Sequence, residues 1–374
     1  MIKFNIPFIA GTELDYINDV ISSKAFQGNG KYSKKTSELL STYSASKKVF
    51  LTSSGTQALE MAALLCNIKK DDEVIMPSFT FSSTANAFIL RGAKIKFIDV
   101  DPKTMNWDEN LIEDAITQKT KVLVPVHYAG VACDMDKVNK IASNNNLMVV
   151  EDAAQCILSS YKNAPLGSLS DFGIYSFHET KNIQCGEGGS IFINKEEFWD
   201  ISEISVEKGT NRTKFLNGEI DKYTWVNIGS SFLMNEITAA FLYGQLIDAK
   251  AVINKRISLW NRYHEFFENN EFVEIQEIPT YAKHNGHIFY IKLRDSNVRN
   301  KLMLFLRECG IDARTHFIPL HSSPFGKSKC EFIGLDKYTT LDSNRLLRLP
   351  LHYYLTINDV DNVTGKIEKF FKEQ

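Results

Sequence analysis

The chain has 374 residues, of which 44% are hydrophobic and 24% are charged, as in an ordinary globular enzyme with a large core. Its formal net charge of −2 provides no overall basic field for nucleic acid or an anionic membrane, and no apolar run approaches the roughly 20 residues that a membrane helix needs. The six cysteines are scattered without a C-x-x-C pair, which argues against a metal site or a disulfide framework and suits a reducing cytoplasm.

The chain begins with a short apolar run, and Glu13 and Asp15 soon follow it, which does not match a secretory signal peptide. From about residue 47 to residue 195, short apolar runs alternate with amphipathic ones. The apolar runs predict buried strands at residues 48–51, 73–76, 95–100, 122–126 and 147–150. The amphipathic runs predict helices at residues 58–65, 84–90, 109–116 and 135–142. This alternation predicts an α/β fold with a mostly parallel sheet covered on both faces.

Two further strands are predicted at residues 174–177 and 190–193, and a long helical stretch follows at about residues 235–260. Beyond it, the pattern predicts a strand at residues 287–293, a helix at 297–308 and a closing helix at 359–371. We therefore expect a large domain over residues 1–250 and a smaller C-terminal α+β domain over residues 251–374.

Several polar groups follow predicted strands, where ligands of open α/β sheets bind. Residues 53–56 (Ser-Ser-Gly-Thr) open a helix, which favours a phosphate, although helix capping alone explains this pattern as well. Asp152 ends one strand, and Ser176 ends the next strand shortly before Lys181. Each of these residues alone has a simpler explanation. Together, in this order, they fit pyridoxal 5′-phosphate (PLP), because the lysine can form a Schiff base and the carboxylate can keep the pyridine nitrogen protonated.

These residues lie in motifs that resemble the DegT/StrS-type sugar aminotransferases, which have the type I PLP-dependent transferase fold of aspartate aminotransferase. The motifs extend nearly end to end and occupy residues 52–56, 72–78, 125–128, 151–155, 176–178 and 181–182. The resemblance implies that Lys181 is the Schiff-base lysine and general base. It implies the following further cofactor contacts: Asp152 to the pyridine nitrogen, Gln155 to the ring hydroxyl, Phe81 against the ring, and Gly55, Thr56 and Ser176 to the phosphate.

The resemblance also implies a homodimer with active sites shared between subunits. In the family, an asparagine of the partner commonly reaches the phosphate. This chain reads Gly229-Ser230-Ser231-Phe232 at that loop, so Ser231 is the predicted replacement.

For the substrate, the predicted contacts come from three separate segments. Gly28 lies in a turn expected at the mouth of the site, and His316 lies in a segment that resembles the substrate segment of the small domain. Lys208 and Arg212 are candidate cations for a diphosphate, with a solvated charged loop as the alternative. His127 is interpreted as a hydrogen-bonded structural residue rather than a catalyst.

The resemblance implies transfer of an amino group from L-glutamate to a nucleotide-linked keto sugar. Residues 207–212 and 221–225 look like the members that aminate C4 of dTDP-4-dehydro-6-deoxy-D-glucose, giving dTDP-4-amino-4,6-dideoxy-D-galactose for surface polysaccharide such as O-antigen or enterobacterial common antigen. A gluco product and amination at C3 stay open as alternatives. Dehydratases of the same fold replace the lysine with histidine, so Lys181 favours transamination. A non-enzymatic regulator is disfavoured, because no DNA-binding extension or basic stripe is present.

Overall fold

The structure is a computed structural model that describes residues 1–373; Gln374, the last residue of the predicted second domain, lies outside the described residues. The strands are β1 (Val49–Thr52), β2 (Glu73–Pro77), β3 (Lys94–Ile98), β4 (Thr120–Leu123), β5 (Met148–Asp152), β6 (Ser160–Tyr161), β7 (Ala164–Pro165), β8 (Phe172–Ser176), β9 (Gly189–Ile193), β10 (Glu274–Ile275), β11 (Ala282–Lys283), β12 (Phe289–Lys292), β13 (Glu331–Phe332) and β14 (Leu346–Leu349).

The helices alternate with these strands in the first half of the chain and dominate the second half. They are α1 (Glu13–Ser23), α2 (Lys31–Ser44), α3 (Gly55–Leu65), α4 (Ser82–Ile89), α5 (Ile112–Ala115), α6 (Met135–Asn144), α7 (Trp199–Val206), α8 (Arg212–Leu216), α9 (Glu236–Ile247), α10 (Ala249–Phe267), α11 (Ser296–Glu308), α12 (Pro324–Lys329), α13 (Thr339–Arg345) and α14 (Ile357–Lys372). Within residues 1–373, none of these helices has both the length and the apolar character needed to cross a bilayer.

The large sheet has eight strands in the order β1-β9-β8-β5-β4-β2-β3-β13. The pairs from β8 to β13 are parallel, whereas β9 runs antiparallel to both β8 and β1. The prediction of a mostly parallel sheet is therefore confirmed. Because β1, β2, β5 and β8 point the same way, the segments that follow them meet at one edge of the sheet.

The sheet is buried on both faces, as its nearly continuous apolar strands predict. In β2, Ile75 packs into the core on one face, whereas its neighbours Val74 and Met76 pack into the core on the other face. This alternation is the period of a β-strand. The two cores hold the sheet edge, and the residues on it, in a fixed position.

The C-terminal part has its own core around the small antiparallel sheet β10-β12-β14. Helix α10 connects the two parts: Val252 packs into the core of the large sheet, and Tyr263 packs into the small one. The chain crosses between the parts elsewhere as well, because β13 joins the edge of the large sheet and the amide of Ile2 donates to the carbonyl of Gly310 at 2.8 Å. The division at residue 250 stays a prediction.

Two predicted helices differ from the structure. The predicted helix at residues 235–260 is two helices, because Asp248 leaves the helical region (φ −94°, ψ 3°) and forms both the end of α9 and the start of α10. The predicted helix at residues 109–116 is a 3₁₀ turn followed by the single turn α5, since the side chain of Asp108 accepts from the amide of Asn110 and tightens the start. The sequence analysis does not predict helices α1, α2, α7, α8, α12 and α13.

Candidate active site

The carboxyl edge of the large sheet opens into a cavity of about 690 Å³. Segments from both parts of the chain line it, so it lies where the two cores meet. The predicted site residues that line it are Gly55, Thr56, Phe81, Asp152, Gln155, Ser176, Lys181 and His316.

One wall of the cavity is the start of helix α3 packed on the end of β8. Ser54 caps the helix, accepting from the amide of Gln57 at 3.1 Å, and the first amides of a helix have no partner within it. Glycine is required at position 55, because an added Cβ would lie 2.9 Å from the Cβ of Ser176. The hydroxyl of Thr56 lies 2.7 Å from that of Ser83. Free amides, hydroxyls and the positive helix end form a cradle for a phosphate group.

Asp152 is the last residue of β5 and is buried. Its Oδ2 accepts from the hydroxyl of Thr84 at 2.7 Å, and its Oδ1 accepts from the amide of Ala154 at 3.2 Å. These two donors fix the orientation of the carboxylate. A fixed carboxylate is suited to a protonated ring nitrogen, because charge-assisted hydrogen bonds are the strong ones.

Gln155 is held at its oxygen end, since its Oε1 accepts from the amide of Ala129 at 2.7 Å. The side-chain amide keeps its NH₂ group as a donor on a residue that lines the cavity. A donor at this position suits the ring hydroxyl of PLP. Together with the α3 cradle and Asp152, the set of donors matches the chemistry of the cofactor's phosphate, ring nitrogen and hydroxyl.

Lys181 lies on the loop after β8, where it is half-buried and lines the cavity. Burial lowers the pKa of its ammonium group, the charge of Asp152 opposes that shift, and the charge of Arg348 adds to it. A lysine must be neutral to act as a nucleophile or base. The lowered pKa therefore increases the fraction of Lys181 that can form a Schiff base at neutral pH.

His287 lines the same cavity, and its protonation follows from its partners. The Nδ2 of Asn182 donates to the carbonyl of Asn285 at 3.1 Å, so the Oδ1 of Asn182 accepts from His287 Nδ1 at 2.8 Å. Burial lowers the pKa of His287 well below its ordinary value, and the charge of Lys181 adds to the effect. His287 is therefore neutral, with its proton on Nδ1 and its Nε2 left as an acceptor.

The two phenylalanines after β2 have different environments. Phe79 is buried and packs against Tyr128, with 5.0 Å between the ring centres. Phe81 lines the cavity and is 60% exposed, so its ring is available to stack on another ring. His316 lies beside Phe79, with 6.0 Å between the ring centres. Its Nδ1 is 2.6 Å from the hydroxyl of Tyr128, and burial lowers its pKa well below the ordinary value.

The other predicted substrate and partner contacts lie elsewhere. Gly28, Lys208, Arg212 and Ser231 are outside the lining of the cavity in this chain. They gather near the buried Glu207, whose carboxylate is 3.2 Å from Arg212 Nη1 and 3.9 Å from Lys208 Nζ. Ser231 pairs with Glu207 through a backbone bridge, and Asn29, next to Gly28, donates to the same carboxylate at 3.1 Å. We call these residues the Glu207 cluster.

His127 is hydrogen-bonded, as predicted, and it also lines the cavity. Its Nδ1 accepts from the amide of Cys133 at 3.1 Å, so its Nε2 carries the proton and donates to Glu151 at 3.1 Å. Both side chains are buried. The carboxylate of Glu151 also accepts from the amide of Gly167 at 2.8 Å, which makes the pair an anchor beneath the cavity.

Sequence reasoning missed four residues of the cavity wall, namely Arg256, His287, Arg314 and Arg348. All four lie on the C-terminal part, where neither spacing nor a strand end indicates which side chain turns inward.

Comparison with known proteins agrees with this geometry. The profile of the DegT/DnrJ/EryC1/StrS aminotransferase family matches residues 7–368. The uncharacterized protein MJ1066 of Methanocaldococcus jannaschii is 32% identical over 378 residues, covering 98% of this chain and 97% of that protein. GDP-perosamine synthase of Caulobacter vibrioides is 28% identical over 371 residues, covering 97% and 96%. The PLP form of Spr1654 from Streptococcus pneumoniae, a proposed sugar aminotransferase, matches with a TM-score of 0.89 at 25% identity, covering 100% and 99%. The chain therefore belongs to the DegT/DnrJ/EryC1/StrS family of PLP-dependent sugar aminotransferases.

Proposed function

We propose that this enzyme transfers the amino group of L-glutamate to C4 of dTDP-4-dehydro-6-deoxy-D-glucose. The product is dTDP-4-amino-4,6-dideoxy-D-galactose, a building block for surface polysaccharide. The observation that carries transamination is the convergence of Lys181, Asp152 and the α3 cradle in one cavity. The choice of sugar and of C4 is supported by the likeness of residues 207–212 and 221–225 to the members that aminate this compound.

Each residue of the cavity has a defined task in this proposal. Bound PLP supplies a carbonyl that carries the amino group and a ring that withdraws electrons. Lys181 takes a proton from the carbon that bears the donor's amino group and later delivers one to C4 of the sugar. Asp152 holds the positive charge at the ring nitrogen. The α3 cradle, Ser176, Gln155 and Phe81 fix the cofactor, so that Lys181 works on one face and the new stereocentre has one configuration.

We further propose that two subunits share each site. The Glu207 cluster supplies cations outside the cavity of its own chain, and the segment beside it exposes large apolar side chains. Trp225 is 78% exposed, Leu216 59% and Ile228 55%. Large apolar side chains exposed together are typical of surfaces that bind another protein. A second copy of this chain would cover them and bring Lys208, Arg212 and Ser231 to the neighbouring cavity.

The product of a defined reaction tests the proposed substrate. The holoenzyme is incubated with L-glutamate and dTDP-4-dehydro-6-deoxy-D-glucose, and parallel reactions contain a UDP-linked 4-keto sugar or a dTDP-linked 3-keto sugar. NMR of the isolated product assigns the aminated carbon and its configuration. We expect amination at C4 in the galacto configuration. Efficient turnover of the UDP-linked or 3-keto sugar, with none of the dTDP-4-keto compound, would contradict the proposal. A GDP-linked 4-keto sugar is also run in parallel, because one relative is named GDP-perosamine synthase.

A further inference from the structure

Three arginines line the cavity, and they differ in their partners. Arg314 is ion-paired to Asp312 at 2.6 Å, and its side chain is largely exposed. Arg256 donates to the backbone carbonyls of Gly286 at 3.0 Å and His287 at 2.8 Å, so it is used to hold the loop that carries His287. The third, Arg348 on β14, requires a different explanation.

Arg348 has no carboxylate partner within residues 1–373. Its Nε and Nη2 donate to the carbonyl of Thr315 at 3.1 and 2.7 Å, which fixes the guanidinium plane and leaves the Nη1 end available. Its Cζ lies 4.7 Å from the centre of the Phe4 ring, which covers one face. Burial lowers the pKa of Arg348. A half-buried guanidinium without a counter-charge is partly desolvated, and it is stabilised when an anion binds.

The position of Arg348 is close to the reacting lysine. Arg348, Lys181, His287 and His316 line the same cavity, and the charge of Arg348 is among the causes that lower the pKa values of the other three. The charge of Arg314 is not among the causes for these residues, in keeping with its exposed side chain. An anion that pairs with Arg348 therefore binds beside Lys181. An anion at the rim of the cavity would contact Arg314 first.

The chemistry of the two substrates distinguishes their anionic groups. In an amino acid donor, a carboxylate is bonded directly to the carbon whose proton Lys181 removes. In a nucleotide sugar that reacts at C4, the diphosphate is attached at C1, on the opposite side of the sugar ring. Only the donor's carboxylate must therefore lie next to the lysine. The cofactor's own phosphate is accounted for by the α3 cradle.

We propose that Arg348 is the residue that binds the carboxylate on the reacting carbon of the amino donor. The inference rests on the proposed transamination and adds the residue that selects the donor. A planar guanidinium already held by Thr315 presents its remaining N–H groups to two carboxylate oxygens, which gives both affinity and orientation. In the second half of the reaction the same groups meet neutral sugar hydroxyls, to which the hydrogen bonds are weaker.

The test compares Arg348→Gln and Arg348→Lys with Arg262→Gln, which removes a surface arginine that is paired with Asp361 at 2.6 Å. The first readout needs no turnover: calorimetric titration of each PLP-loaded protein with glutarate, an unreactive dicarboxylate. We expect the Kd to rise about 10-fold to 100-fold in Arg348→Gln, the effect of losing a hydrogen bond to a charged group. A smaller rise in Kd is expected in Arg348→Lys, which keeps the positive charge but loses the planar pair of N–H donors. No change in Kd is expected in Arg262→Gln.

The second readout separates the half-reactions in single turnovers, one with L-glutamate and the PLP form and one with the keto sugar and the aminated form. Arg348→Gln is expected to slow the half-reaction with L-glutamate by a factor similar to the change in glutarate Kd. It is expected to change the rate of the half-reaction with the keto sugar by less than about 3-fold. Unchanged glutarate affinity in Arg348→Gln, or a defect confined to the sugar half-reaction, would overturn the proposal. If Arg348→Gln does not fold, Arg348→Lys decides by the same criteria. Failure of the proposed sugar substrate would leave the glutarate result and the donor half-reaction unaffected, so the two failures are distinguishable.

Discussion

The cavity and the Glu207 cluster each contain a lysine and an arginine, but these cations differ in whether a carboxylate is paired with them. In the cavity, Lys181 and Arg348 are half-buried, their pKa values are lowered by burial, and neither has an ion-pair partner within residues 1–373. In the Glu207 cluster, Lys208 and Arg212 are partly exposed and lie beside a buried carboxylate. The cations of the cavity are therefore available to pair with negatively charged groups of its ligands. In the cluster, both cations share the single carboxylate of Glu207, which leaves one positive charge in excess. This difference indicates that the chemistry belongs to one region and the recognition of the large substrate to the other.

The largest expected effect comes from removing Lys181, because the covalent bond to the cofactor forms in the cavity and not in the Glu207 cluster. Lys181→Ala is expected to lower turnover by about 10³-fold or more, because the base and the attachment point of the cofactor are lost together. Borohydride reduction of the holoenzyme followed by peptide mass spectrometry is expected to find the cofactor on the peptide that contains Lys181. Lys208→Ala is the matched control and keeps this adduct. A reduced adduct that persists in Lys181→Ala would refute the assignment.

Asp152→Asn tests the cavity without removing the lysine. A neutral amide cannot hold the positive charge of the ring nitrogen, and losing about 3 kcal/mol of charge-assisted hydrogen bonding lowers kcat on the order of 10²-fold. Some cofactor is still bound, since the α3 cradle is intact. Asp136→Asn, at an exposed ion pair with Lys162, serves as the control. Near-wild-type kcat in Asp152→Asn would show that the carboxylate has no such role.

Arg212→Ala addresses the Glu207 cluster. Loss of one cation for the diphosphate is expected to raise KM for the nucleotide sugar about 10-fold, or about 1.4 kcal/mol, with little effect on KM for L-glutamate. This pattern is the opposite of the one expected for Arg348→Gln. Steady-state kinetics with each substrate varied in turn measures both constants. If KM for the sugar is unchanged, the cluster is a solvated surface loop and the division between the regions fails.

The smallest expected effect is on the stability of the apoprotein. The folded-state pKa of Lys181 is lowered, so below that pKa the buried charge destabilises the fold. The cost decreases as pH rises from the folded value toward the unfolded value near 10.4, and it is absent above it. Lys181→Met is therefore expected to stabilise the apoprotein by about 1 kcal/mol at neutral pH, with the gain shrinking in alkali. Thermal unfolding at several pH values measures this, and Lys208→Met is expected to show no gain.

The two regions also differ in how much of them is predictable from the sequence. The sheet, and the cavity residues at strand ends, follow from apolar periodicity, because parallel strands bring their carboxyl ends together whatever the details of the loops. Asp152, at the end of β5, and Ser176, at the end of β8, are such residues. Arg348 and His287 line the cavity through the docking of the C-terminal part, a long-range arrangement with no local pattern. The break at Asp248 was missed because the apolar period continues on both sides of it.

The proposal that the two regions form one site across two subunits is tested most directly by mixing two variants, each with a defect in a different region. Lys181→Ala and Arg212→Ala are denatured and refolded together, and turnover is measured at a sugar concentration far below KM. Random pairing gives heterodimers in which one of the two sites has both wild-type residues, so about a quarter of the wild-type activity is expected to return. Activity no higher than the mean of the two variants measured separately would show that Arg212 does not serve the partner's cavity and would contradict the shared site.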